Sequence, residues 1–167
     1  MAIQETGCFE NYEELKKLRP VPSEERYRKG SVAVIECVQC IPCNPCEASC
    51  VQKAIVIGNP IINLPVLDEE KCVGCGICVS KCPGLAIFIV NKKGSEETAT
   101  VSFPYEYIPI PKEGETVRAV NRKGEYVCDA KVVKIMNPKS FDRTPVVTIE
   151  IPLSEADSVR SIERRKV

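Results

Sequence analysis

Residues 37 to 82 hold nine of the chain's eleven cysteines, and most of them fall into a repeat. Cys40, Cys43, Cys46 and Cys50 follow the spacing Cys-x2-Cys-x2-Cys-x3-Cys; Cys72, Cys75, Cys78 and Cys82 follow it again, with Pro83 directly after. Thiolates at i, i+3 and i+6 can wrap a loop around one cubane of iron and sulfide, each sulfur taking one iron, while intervening amides point at the sulfides. Two runs therefore offer eight ligands for two 4Fe–4S clusters, the apparatus for moving electrons singly. Zinc competes, because paired Cys-x2-Cys units hold it, yet two four-cysteine runs exceed its needs. One cluster beside a degenerate second site also fits the spacing. A disulfide framework fits poorly, since eleven is odd and residues 1 to 20 lack the apolar stretch of a secretory signal. The chain has no histidine, which removes Cys/His zinc sites, haem ligation by His and His-based acid–base catalysis.

The two runs are unequal. Gly74 and Gly76 leave the second loop free to approach the sulfides and to adopt positive φ. The matching positions in the first run are Pro42 and Asn44, with Pro45 next, and proline removes an amide donor. Fewer amide–sulfide bonds stabilise the reduced state less, so the Cys40-run cluster should have the more negative potential. Cys37 is a second candidate for the first ligand of that run, although the regular spacing favours Cys40. Cys128 reads as a small core residue on a strand; Cys8 has no assignable role.

Strands and short helices must position these loops. Val32 to Ile35 is an apolar, β-branched run entering the first cysteines; Ala54 to Gly58 leaves them. Pro65 to Asp68 leads into the second run and Leu85 to Val90 leaves it. A helical turn is expected around the third and fourth cysteines of each run, giving strand–cluster loop–helix–strand twice. Ala54-Ile55 follows Cys50 at the same offset as Ala86-Ile87 follows Cys82, which fixes the register of the repeat. Upstream, Asn11 and Glu14 form a capping box for a short helix that buries Tyr12, Leu15 and Leu18 and stops at Pro20. Ser23 to Lys29 suits another helical turn. Downstream of a polar linker at Lys92 to Glu97, Ala99, Val101 and Phe103 alternate as one face of a strand. Thr116 to Asn121 and Tyr126 to Ile135 suit a hairpin turning at residues 122 to 125, and Val147, Ile149 and Ile151 face inward on a last strand. Ser154 with Asp157 is expected to cap a final helix ending at Arg164-Arg165-Lys166.

The totals exclude further classes. Among 167 residues, 23 basic side chains balance 23 acidic ones, and from Lys92 onward the count is 14 against 12. Neither balance makes a phosphate-binding surface. The longest uninterrupted apolar run, Leu85 to Val90, is too short to span a bilayer. These features together lead one to expect a soluble, cytoplasmic protein. No Gly-x-Gly-x-x-Gly, P-loop or acid–base set supplies a nucleotide site or a catalytic centre.

Residues 32 to 91 resemble the bacterial two-cluster ferredoxin domain, with Val51 standing where that family commonly has proline. In that family the fourth cysteine of each run ligates the other cluster. The resemblance thus implies one cluster on Cys40, Cys43, Cys46 and Cys82, with Cys37 as the alternative first ligand. The other would sit on Cys72, Cys75, Cys78 and Cys50. A wider resemblance rests on Val32 to Cys37, Ile41 to Glu47, Pro83 to Phe88 and Asn137 to Pro145. These segments look like the small iron–sulfur subunit of multisubunit FAD-dependent dehydrogenases, which implies a flavoprotein partner subunit carrying FAD. The expected fold is α+β: an N-terminal docking extension (1–30), a ferredoxin-like dicluster domain (31–92), a small β-barrel-like module (98–153) and a C-terminal helix or tail (154–167). The expected function is electron relay to or from that flavoprotein. A free two-cluster ferredoxin is the alternative, and an iron–sulfur-stabilised nucleic-acid-binding module the third.

Overall fold

The computed structural model describes residues 11–165, so Cys8 and Lys166 lie outside the described residues. Two short helices come first, α1 (Tyr12–Leu18) and α2 (Glu24–Lys29). Asn11 caps α1 by accepting the Glu14 amide at 3.0 Å, and Ser23 caps α2 by accepting the Arg26 amide at 3.1 Å. Helices this short do not persist alone in water. They are held by packing: Tyr12, Leu15 and Tyr27 are buried in the chain's own core, and the Tyr12 and Tyr27 hydroxyls share a buried hydrogen bond of 3.0 Å. Leu18, expected on the buried side, is 48% exposed, because α1 ends there and the chain turns inward at Arg19 instead.

The cysteine region then runs β1 (Val32–Ile35), α3 (Pro45–Ser49), β2 (Ile55–Val56), β3 (Val66–Leu67), α4 (Ile77–Lys81) and β4 (Ile87–Asn91). β1 pairs antiparallel with β4, and β2 with β3. Five more strands follow: β5 (Thr98–Pro104), β6 (Thr116–Val120), β7 (Tyr126–Met136), β8 (Val146–Pro152) and β9 (Ser161–Ile162). They do not close into a module of their own. β4 pairs with β5, so a single antiparallel sheet runs β1-β4-β5-β8-β7-β6-β9.

β1 and β4 form a wall between two cores. Val32, Val34, Phe88 and Val90 point into the large core enclosed by the later strands and the N-terminal helices. Ala33, Ile35, Ile87 and Ile89 point the other way, toward the cysteines. Burial on both faces explains why these strands read as continuous apolar runs while β5 alternates. Register shifts in β6–β7 and β7–β8 add the local twist that coils the sheet. Its two edge strands are thereby brought together at one carboxylate. Glu36, just after β1, accepts Arg160 Nε at 2.6 Å, just before β9, and Arg122 Nη2 at 2.6 Å, in the β6–β7 turn. The expected terminal helix is absent among the described residues. Leu153–Glu155 makes one 3₁₀ turn, after which β9 adds to β6, because burying Val159, Arg160 and Ile162 demands extended backbone.

Candidate iron–sulfur site

Two small cavities with apolar linings lie on the cysteine side of the β1–β4 wall, with volumes of about 30 and 20 Å³. Thiols line both. Cys37, Cys43 and Cys46 face the first cavity together with Cys82 from the second run. Cys72, Cys75 and Cys78 face the second together with Cys50 from the first run. The fourth cysteine of each run thus crosses over, because α3 and α4 pack side by side and each ends, at Cys50 and Cys82, beside the other's cavity.

Cys40, which the regular spacing favours, is exposed and does not line the first cavity. Cys37 takes that place. Glu36 extends the β1–β4 ladder by donating its amide to the Ala86 carbonyl at 2.8 Å, so the strand delivers Cys37 to the cavity mouth, and the Pro42-containing loop carries Cys40 outward before returning at Cys43. Cys128 lies on β7, partly buried against the large core, and lines neither cavity.

Backbone amides already address the sulfurs. Ala54 donates to Cys50 Sγ at 3.2 Å and Ala86 to Cys82 Sγ at 3.4 Å, at the same four-residue offset; Ala33 donates to Cys72 Sγ at 3.4 Å. Gly74 and Gly76 both have positive φ. A Cβ on Gly74 would lie 2.5 Å from that of Ser31, so this loop closes down on the start of β1. Burial pushes the Cys46 thiol up to about 11 and raises Cys78 and Cys82 as well, with neighbouring thiols adding to each shift. Such thiols bind metal only by giving up protons, which makes loading proton-linked. Among the described residues no three Cys, Asp or Glu side chains converge closely enough to share a single metal ion. The thiols are instead spread around the walls of the two cavities.

Three charged side chains at the site escape a reading of the sequence. Arg19 donates to the carbonyls of Cys37 and Pro65, Arg26 to four carbonyls including that of Cys72, and Glu36 joins the sheet edges beside Cys37. Their partners are backbone atoms or residues as many as 124 positions away, and no local pattern marks them.

The 4Fe–4S binding domain family matches residues 65–88, the stretch that contributes three thiols to the second cavity and the crossing Cys82. Three proteins illustrate the wider similarity. Protein Pixie of Drosophila melanogaster is 41% identical over 71 residues, 39% of this chain and 12% of that protein. The translation initiation factor rli1 of Schizosaccharomyces pombe is 32% identical over 87 residues, 48% of this chain and 14% of that protein. An uncharacterized ferredoxin of Methanocaldococcus jannaschii is 35% identical over 85 residues, 51% of this chain and 54% of that protein. The chain therefore spans a small part of the first two and about half of the third. No solved structure gives a significant match. The chain thus carries a 4Fe–4S binding domain at residues 65–88, and about half of it is similar to a ferredoxin. None of these three relatives is named as an FAD-dependent dehydrogenase subunit. No helix among the described residues is long and apolar enough to cross a membrane.

Proposed function

We propose that the chain binds two 4Fe–4S clusters, one in each cavity, and relays single electrons to or from a flavoprotein subunit of a dehydrogenase complex. The observation that carries this reading is the partition of eight thiols into two adjacent sets of four, Cys37, Cys43, Cys46 and Cys82 against Cys72, Cys75, Cys78 and Cys50. A 4Fe–4S cluster bound in such a set accepts and returns one electron. The chain's residues supply the thiolates, the amides that address them and the apolar walls that exclude water. On this reading β1–α3–β2 and β3–α4–β4 are two copies of one unit, and residues 31–92 form the cluster-bearing part. The N-terminal arm and the strands from residue 98 onward support attachment to a larger assembly, since a shuttle ferredoxin needs little beyond the cluster part. FAD and the substrate belong to the partner subunit.

A second reading follows from the match to a translation initiation factor: the clusters brace a binding module and turn over no electrons. Purification from the native source without oxygen separates the two. Electron relay predicts about eight iron atoms per chain for two cubanes, reversible reduction, and a co-purifying flavin-containing subunit. Iron that cannot be reduced reversibly, with no flavoprotein attached, would overturn it.

A further inference from the structure

Arg19 and Arg26 are among the most buried charged residues of the chain, at 7% and 6% exposure. Both come from the N-terminal arm, seven positions apart, and every hydrogen bond made by their guanidinium groups ends on a backbone carbonyl. Arg19, the C-cap of α1, grips Cys37 and Pro65, both of which line the first cavity. Arg26, within α2, donates to Glu69 at 2.7 Å, Gly30 at 3.1 Å, Ser31 at 2.8 Å and Cys72 at 2.5 Å. Ser31 is the residue on which Gly74 of the second cavity closes. Each arginine therefore holds the carbonyl of the first thiol-bearing residue of one cavity.

A buried cation with no carboxylate against it is costly. Glu36 shows that the chain can supply a carboxylate where one is needed, since it pairs with both Arg122 and Arg160. Neither Arg19 nor Arg26 has an ion-pair partner among the described residues. A tetrathiolate iron–sulfur centre is anionic and becomes more so on reduction, and its net charge and surroundings set its potential.

We infer that Arg19 and Arg26 are paired positioning residues, each fixing the first cysteine of one cavity and placing an uncompensated positive charge beside that cavity's cluster, so that each raises the potential of its own cluster alone. The inference rests on the two-cluster reading above. It assigns the N-terminal arm a role in setting both potentials rather than in docking alone.

The test compares Gln with Lys at each position in the full chain, loaded with iron and sulfide without oxygen. Both replacements keep a long side chain with donors, and they differ by one charge. EPR-monitored redox titration should show Arg19→Gln weakening reduction of one cluster at least tenfold, about 59 mV for a one-electron couple, with the other cluster unmoved. Arg26→Gln should move the other signal by a similar amount. Arg19→Lys and Arg26→Lys should stay much nearer the unmodified protein. Loss of one cluster in a Gln variant with retention in its Lys counterpart also supports the inference. Gln and Lys variants that behave alike, or a shift common to both clusters, would overturn it. Iron analysis of the unmodified chain keeps the two failures apart: fewer than two clusters there refutes the functional reading, whereas two clusters with unmoved potentials refute only the role of the arginines.

Discussion

Replacing Glu36 by Gln removes one charge while keeping the shape of the side chain, and its cost can be worked from the contacts. Glu36 is 8% exposed and takes Arg160 Nε and Arg122 Nη2 on the same oxygen, with Arg122 Nε at 2.9 Å on the other. Arg160 is 3% exposed, and its Nη2 has no hydrogen-bond partner among the described residues. Its remaining support is the carbonyls of Ala156 and Val159 and the face of Phe88. The variant takes the anion from the buried Arg160 guanidinium in a water-poor site, which costs ~3–5 kcal/mol. For a chain of this size each kcal/mol moves the thermal midpoint by ~2–4 °C, so a fall of ~6–20 °C is expected. The measurement is thermal unfolding of the cluster-loaded protein without oxygen, followed by far-UV circular dichroism at one fixed scan rate. Glu13→Gln, which breaks the exposed pair with Lys16, is the internal control and should leave the midpoint essentially unmoved. A Glu36→Gln midpoint within the range of that control would refute the view that this carboxylate closes the sheet.

Other outcomes follow from the same geometry. Cys37→Ala should lose the iron and EPR signal of one cluster while Cys40→Ala keeps both; the reverse result would restore Cys40 as the ligand. Gly74→Ala drives a methyl group into Ser31 at a positive φ, and overpacking of this kind costs ~1–3 kcal/mol, visible as earlier loss of the second cluster on heating. Burial holds the Tyr12 and Tyr27 phenols above their ordinary value of 10.0. Above that pH the unfolded chain gives up protons that the folded chain retains, so stability should fall as pH rises past about 10. The slope should shrink in Tyr12→Phe/Tyr27→Phe, and an unchanged slope would sink the argument. The cluster beside Cys37 should have the more negative midpoint, since Pro42 and Pro45 deprive its loop of amides; equal midpoints would refute that.

What could be read from the residues alone divides along sequence distance. Asn11 and Ser23 announce their helices through hydrogen bonds three residues long, and Ala99, Val101 and Phe103 announce an inward face by alternation. The regular cysteine spacing marks three of the four thiols that face the second cavity but only Cys43 and Cys46 of the first, where Cys37 stands outside the repeat. Cys37 against Cys40 could not be decided locally, as it depends on how far β1 pairs with β4. β9 was hidden for a similar reason: Ser154 and Asp157 are sound capping residues, but the burial of Arg160 against Glu36 and pairing with β6 override them. The single sheet was hidden by Lys92 to Glu97, whose polar composition suits a linker equally well whether the next strand leaves the sheet or joins it.

That continuity from β4 into β5 has a practical consequence. A fragment cut after residue 92 would keep all eight cavity thiols yet lose the strands that cover much of the large-core face of the wall, leaving Val32, Val34 and Val90 covered only by the N-terminal helices and the outer hydrogen-bonding edge of β4 open. Open edges beside apolar faces recruit other strands. The cysteine region of this chain is therefore not a portable cassette: grafted elsewhere, it would aggregate unless the recipient supplied a strand where β5 lies.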